Sequence, residues 1–207
     1  MPLARLPRRP GVYGPSTTIY NRFHRWARRG IWQGMFEALA VAEPGDVQMI
    51  DSTTAKAHRS AAGGKGGRIP GDRSLSRRAH DKIHAVVDGC GRPVAFQITP
   101  GQRGDAPMAR GLLERLPPAC LCAADAAYDS GGLRRFLQQR GTQPVIPNNP
   151  TRKHPQPFDP EPYKLRNLIE RMFCRLKDWR RIATRYDKLA GNFAAAIAIA
   201  ATLTWWL

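Results

Sequence analysis

Tyr163-Lys164-Leu165-Arg166-Asn167-Leu168-Ile169-Glu170-Arg171-Met172-Phe173-Cys174-Arg175-Leu176-Lys177 is the stretch on which the reading of the chain turns. It holds no Gly and no Pro, and its apolar residues recur every three or four positions, which predicts a helix. At roughly 100° per residue, Leu165, Leu168, Ile169, Met172, Phe173 and Leu176 share one broad face. Tyr163, Arg166, Glu170 and Lys177 fall in a narrow arc, roughly 60° wide, at the edge of that face. One carboxylate beside two cations and a phenol suits a metal-assisted phosphodiester site, where an acidic group holds a hard cation and Arg and Lys neutralise phosphate oxygens. The same pattern describes an ordinary amphipathic helix whose Glu170 pairs with neighbouring basic groups, and periodicity alone favours that plainer account.

Composition narrows the partners. The chain of 207 residues is long enough for one substantial domain with a small appendage, and at 42% hydrophobic it excludes wholesale disorder. Lys and Arg number 33 against 16 Asp and Glu, a formal net charge of +17 spread along the whole chain. Such an excess calls for a polyanion, nucleic acid ahead of a membrane surface, although it equally suits a ribosomal or nucleoid protein. Cys90, Cys120, Cys122 and Cys174 lack paired zinc-type spacing and read as reduced, mostly buried thiols. Met1 is followed by Pro and Arg rather than a signal-peptide run, and the apolar run 193–206 is too short to span a bilayer, so a cytoplasmic protein is expected.

Residues 1–15 read as irregular. Two short helices follow: Ile19, Tyr20, Phe23, Trp26 and Ala27 recur after a cap at Ser16 or Thr17, and Ile31, Trp32, Met35, Phe36 and Leu39 recur after Gly30. Arg22, Arg25, Arg28 and Arg29 lie opposite the first apolar set, so this pair either contacts DNA backbone or caps the main domain. Residues 46–53 read as a strand, with Asp51 either projecting into a cleft or making a turn. Residues 61–71 read as a Gly-rich basic loop with Lys65 and Arg68, a phosphate contact or an inert linker, without the spacing of a nucleotide-binding loop. Residues 82–88 and 93–99 make an antiparallel meander in which His84 reads as structural. Asp88 is a turn residue, and Asp105 a helix cap for 106–116. A strand over 119–125 ends in Asp125, a helix covers 133–140, and a last strand covers 143–147. Asp129 reads as the cap of that helix, and as the alternative to Asp125. The Ala-rich end after Asp187 reads as a buried closing helix.

The spacing Tyr163-x2-Arg166-x3-Glu170-x6-Lys177 resembles the C-terminal signature of bacterial insertion-sequence transposases with an Asp-Asp-Glu triad. The run Asp178-Trp179-Arg180-Arg181-Ile182-Ala183-Thr184-Arg185-Tyr186-Asp187-Lys188 resembles the insertion-sequence-five family in particular. Tyr13-Gly14-Pro15, Thr18 to Phe23, Trp26 and Gly30-Ile31-Trp32 are similar to that family's N-terminal motifs. So are Ile50-Asp51-Ser52-Thr53, Lys56-Ala57-His58-Arg59 and Leu121-Cys122-Ala123-Ala124-Asp125 with Tyr128-Asp129. The resemblance covers residues 13–207 and departs at Asp72 to Asp81, where a Gly-Arg-Ser-Arg-Gly-Gly-like turn is expected.

The resemblance implies an α/β fold: a ribonuclease-H-like mixed β-sheet flanked by helices, with a small N-terminal helical segment. Residues 1–45 would be a short basic segment and 46–207 the catalytic domain. It implies Asp51, Asp125 and Glu170 as catalytic residues and metal ligands, with two Mg²⁺ or Mn²⁺ ions, and Tyr163, Arg166 and Lys177 as DNA contacts. Arg22, Arg25 and Lys65 are further DNA-contact candidates from their basic settings. The implied activity is cleavage of double-stranded DNA at transposon ends and strand transfer into a target. The enzyme would act as a homo-oligomer on DNA in the bacterial cytoplasm, associated with the nucleoid. Family members usually have a longer N-terminal region, so the chain reads as a truncated copy or as the second of two frames, with an upstream-frame partner. A remnant that only binds DNA and a metal-dependent nuclease of the same fold stand as the alternatives.

Overall fold

A computed structural model describes residues 14–40, 46–62 and 80–207. The central strand is β1 (Val47–Ala57), which runs four residues beyond the end its apolar pattern predicts, because it is paired along both edges. β2 (His80–Asp88) runs antiparallel to it from Gln48↔Asp88 to Lys56↔His80, and β3 (Pro93–Pro100) closes the expected meander. On the other side β4 (Leu121–Ala123) lies parallel to β1, and β5 (Gln143–Val145) parallel to β4. The order is β3-β2-β1-β4-β5, the mixed sheet of a ribonuclease-H-like fold. A two-residue strand, β6 (Thr184–Arg185), pairs with the far end of β1 and had no readable pattern in the sequence.

Alternation along β1 divides the core. Met49 and Ala55 face one layer with Phe36, Ile169, Met172, Phe173, Leu176 and Phe193. Ile50 faces the other with Leu112, Leu113, Leu133 and Leu137. The first layer is built from α2 (Ile31–Leu39), α7 (Asn167–Lys177) and α9 (Ala190–Trp205), and the second from α4 (Ala106–Leu113) and α5 (Gly131–Gln139). Each large side chain buried this way contributes about 1.5–3 kcal/mol. Short helices α3 (Arg59–Ala62), α6 (Pro160–Tyr163) and α8 (Arg180–Ala183) sit in the connections.

The N-terminal pair is α1 (Ser16–Arg28) and α2, separated by Gly30 at φ 68. Both pack on α9, and His24 Nδ1 lies 3.0 Å from Asn192 Oδ1. Pro15, rather than Ser16 or Thr17, occupies the α1 cap position, with no side-chain cap bond. Fixed proline geometry starts the helix without a hydroxyl.

Other expectations are corrected. Ser130, not Asp129, caps α5, accepting from the Leu133 amide at 3.1 Å. Asp105 occupies the α4 cap position but makes no side-chain cap bond, because Ser52 and Lys82 claim its carboxylate. Only Cys122 is a buried thiol; Cys90 sits in the β2–β3 turn, Cys120 before β4 and Cys174 on the outer side of α7, all exposed. Lys65 and residues 72–79 lie outside the described residues.

Candidate active site

The site begins with a register. Val47, Gln48 and Met49 pair in parallel with Leu121, Cys122 and Ala123. Two residues further along come Asp51, within β1, and Asp125, just past the end of β4. The period of two sends both carboxylates to the face where Met49 and Ala123 point, which is the α7 face. Neighbouring strands lie about 4.8 Å apart, so the parallel ladder sets the two acids side by side.

Asp51 is almost buried. Its Oδ1 accepts from the Ser52 amide at 2.8 Å and its Oδ2 from Arg166 Nη2 at 2.7 Å. Burial raises the Asp51 carboxyl above its ordinary range; Arg166 and the Ser52 amide pull against that rise, and the charge of Asp125 adds to it. Asp125 stands just past β4 and caps a 3₁₀ turn, Ala126–Tyr128, its Oδ1 accepting from the Ala127 amide at 2.9 Å. Behind both acids lies Tyr128, whose phenol is raised by burial and then by Asp105, Asp51 and Asp125.

The helical stretch from residue 160 supplies the third acid and the cations. It is not one regular helix. Between α6 and α7 the residues Lys164–Arg166 tighten into a 3₁₀ turn. With three residues per turn, Tyr163 and Arg166 stack one above the other, and the guanidinium carbon lies 6.0 Å from the Tyr163 ring centre. The same tightening rotates Leu165 out of the apolar face, so it is 41% exposed, contrary to the pattern at 100° per residue. Ile169, Met172, Phe173 and Leu176 are buried as expected and anchor α7 on β1. The β2–β3 turn comes close to the helix start. Gly91 has φ +76, and a side chain there would meet Leu168 at 3.4 Å, so glycine meets two needs at this position.

Arg166 is the hub. Its Nη1 donates to Glu170 Oε1 at 2.5 Å while its Nη2 holds Asp51. Burial on its own would lower Arg166, but Asp51, Tyr163, Glu170 and Asp125 together raise it, so all three acids act on one guanidinium. Lys177, two turns beyond Glu170, donates to Thr53 Oγ1 at 2.5 Å, and its partial burial lowers its pKa. Thr53 shares the face of Asp51, so Lys177 stands along the same strand. Tyr163 packs edge-on against Phe158, ring centres 5.3 Å apart, leaving a half-exposed aromatic pair beside Arg166.

Two supporting groups escaped the sequence. On the opposite face of β1, Ser52 Oγ donates to Asp105 Oδ1 at 2.9 Å, and Lys82 Nζ reaches both Asp105 oxygens at 3.0 and 3.1 Å. Buried His84 lies beside them, its Nε2 2.7 Å from Thr99 Oγ1, and burial lowers its pKa to about 4. The second group centres on Asp129, four residues after Asp125. It accepts from Arg134 Nε at 2.7 Å, from Arg152 Nε at 2.6 Å and from the Asn149 amide at 2.8 Å. Burial would raise this carboxyl, but those bonds outweigh it and hold Asp129 at about 2. The aspartate therefore clamps the connection leading into α6, and its oxygens are committed. No local pattern reports such pairings, because the partners lie 5 to 53 residues apart.

Arg22 and Arg25 are exposed on α1, away from the acids in sequence and without a hydrogen bond to them. Three carboxylates offer hard oxygen donors of the kind a divalent cation takes. Among the described residues, no three His, Cys, Asp or Glu side chains stand in metal-holding geometry, and Arg166 lies between Asp51 and Glu170.

Fold and site together define an α/β protein with paired strand aspartates facing a helix glutamate amid cations. Comparison with known proteins makes this specific: the chain belongs to the Transposase DDE domain family, whose model matches residues 43–205. A protein named as a transposase for insertion sequence element IS6501, from Brucella ovis, is 40% identical over 60% of this chain and 96% of its own. Another, named for element IS402 of Burkholderia cepacia, is 29% identical over 69% of each chain. Among solved structures, the catalytic core of BIV integrase is similar at a TM-score of 0.44 and 14% identity, over 76% of this chain and 82% of that one. The piggyBac transposase in a synaptic complex with hairpin DNA is similar at 0.46 and 13%, and the chain spans 46% of its length.

Proposed function

We propose that this protein is a DNA transposase that cleaves strands at insertion-sequence ends and joins them to target DNA. The observation that carries the reading is the hold of one guanidinium, Arg166, on both Asp51 and Glu170, with Asp125 just past the strand beside Asp51, on a chain of the Transposase DDE domain family. Asp51, Asp125 and Glu170 would hold two Mg²⁺ or Mn²⁺ ions, which activate the attacking oxygen and stabilise the leaving one. Asp51 and Asp125, fixed on adjacent strands, set the reacting phosphate against the sheet. Glu170, more than half exposed at its side chain, is free to adjust from α7. Arg166 and Lys177 bind phosphate oxygens flanking the cut, Arg166 with a planar fork suited to two oxygens. Tyr163 packs against sugar or base beside them. In the first step a water oxygen attacks phosphorus and the 3′ oxygen leaves with a proton. In the second that 3′-hydroxyl attacks a target phosphodiester, forming one P–O bond as another breaks.

Duplex DNA is thus the partner, and pairing of two ends calls for a homo-oligomer. Among the described residues no helix is long and apolar enough to cross a membrane. The cytoplasm and nucleoid are the proposed location, where that DNA lies. In the helical segment, exposed Arg22 and Arg25 would add backbone contacts. The test is a Mg²⁺-dependent cleavage and joining assay on supercoiled DNA carrying the element ends. Wild-type protein is expected to give nicked and joined products, and Glu170→Gln to lose both by at least a hundredfold, in line with the loss of one electrostatic catalytic group. Cleavage without joined products would identify a nuclease, and equal activity of the two proteins would remove Glu170 from the site.

A further inference from the structure

We infer that Arg166 is an internal counter-cation that holds the acidic site closed until DNA phosphate draws it away, coupling divalent-cation loading to DNA binding. The inference rests on the proposed function, in which the three carboxylates take the metal. Arg166 Nη2 holds Asp51 at 2.7 Å and Nη1 holds Glu170 at 2.5 Å, so both acids spend an oxygen on the same group. A divalent cation needs those oxygens at about 2.1 Å in octahedral array, and a guanidinium between them excludes it.

The hold is also incomplete. Among the described residues, Arg166 Nε is buried without a hydrogen-bond partner, leaving a donor unmet. A phosphodiester offers two oxygens in a geometry the guanidinium fork matches, so DNA can replace both acid bonds while Nε leaves the buried position in which it has no partner. The pivot is present in the backbone: Arg166 ends the 3₁₀ turn at the start of α7, where a small helical adjustment swings its long side chain toward solvent. Glu170, lying largely in solvent, can follow. Once Arg166 leaves, Asp51, Asp125 and Glu170 are three acids without their nearest cation, and a divalent ion fills that place. Linkage makes the effect reciprocal: DNA tightens the metal by the same factor that metal tightens DNA. Free protein is thereby kept from cutting at random, since its metal site assembles on substrate.

The experiment measures Mn²⁺ binding to the full chain by titration calorimetry, with and without a short duplex, subtracting Mn²⁺ bound by duplex alone. For wild type, duplex should tighten Mn²⁺ about tenfold or more, within the usual range of coupling between sites. Arg166→Gln should bind Mn²⁺ about tenfold more tightly than wild type without DNA, and duplex should add little. Arg166→Lys, which keeps the charge but reaches one acid at a time, should fall between; it also serves if the Gln variant is misfolded by circular dichroism. Mn²⁺ binding no tighter in the folded Arg166 variants than in wild type overturns the coupling. Asp51→Asn separates the two readings. Mn²⁺ binding lost in that variant leaves the metal site standing whatever Arg166 does, while Mn²⁺ binding that survives it overturns the metal site and the coupling together.

Discussion

The local settings of Asp51, Asp125 and Glu170 were legible one residue at a time, while the roles proposed for them come from the motifs around them. Asp51 and Asp125 each follow a short apolar strand, and Glu170 borders an apolar helix face. What was not legible is the company they keep. Asp105 and Asp129 also follow turns before helices, and locally they read as caps. Their carboxylates are instead claimed by Ser52 and Lys82, and by Arg134 and Arg152. A cap bond is worth about 1 kcal/mol, whereas stranding a buried ion of such a pair costs about 3–5 kcal/mol, so the distant cation wins. His84 shows the pH consequence. Its pKa is lowered by burial from an ordinary 6.5 to about 4, so between those values the unfolded chain binds a proton that the folded chain refuses. Stability therefore falls as pH drops below 6.5 and levels off below about 4. Between pH 7 and 5 the loss from this group is about 2 kcal/mol. Urea unfolding at both pH values should show that extra loss in wild type and its absence in His84→Gln. An equal loss in both would assign the pH dependence to other groups.

At the scale of elements, the decisive departure is the 3₁₀ turn Lys164–Arg166 that precedes α7. Periodicity at 100° per residue put Leu165 in the core with Ile169, and no local residue announces the tighter winding. Two features account for it. Pro160 and Pro162 start a separate short helix, and Arg166 is held to Asp51 on the sheet while Ile169 is sunk between β1 and α9. The helix start winds tighter so that both attachments are met, and Leu165 is turned outward. The two leucine-like positions should then differ sharply on truncation. Ile169→Ala removes a fully buried side chain and should cost about 2–4 kcal/mol. Leu165→Ala, on an exposed position, should stay within about 0.5 kcal/mol. Denaturant melts of both variants decide it, and comparable losses would mean that the regular helix, with Leu165 inside, is the true winding. The strands were easier to read, because alternation and small-residue runs carry their own period. β6 was missed since its two residues are strand only through their pairing with Lys56 and Ala57.

For the whole molecule, the net charge of +17 suits the proposed DNA partner but does not say where it would lie. The architecture narrows that. α7, which carries Lys177 and follows the turn that ends in Arg166, lies on the same layer as α9, and α1 packs on α9 with Arg22 and Arg25 exposed. Arg110 and Arg135 are also exposed, but they belong to α4 and α5 on the opposite side of the sheet. A duplex crossing the acidic site would run along the first layer and leave the second in solvent. Each phosphate neutralised contributes about −0.9 to the slope of log K against log salt concentration. Replacing Arg22 and Arg25 together by Gln should therefore flatten that slope by about 1.8, and weaken binding alike on all sequences. Replacing Arg110 and Arg135 removes the same net charge and should leave the slope unchanged. Fluorescence anisotropy with a labelled duplex from 50 to 200 mM salt would compare the pairs. Equal flattening in both would mean that overall charge governs binding, and no flattening in either would leave α1 as a packed cap on α9, with the duplex held by α7 alone.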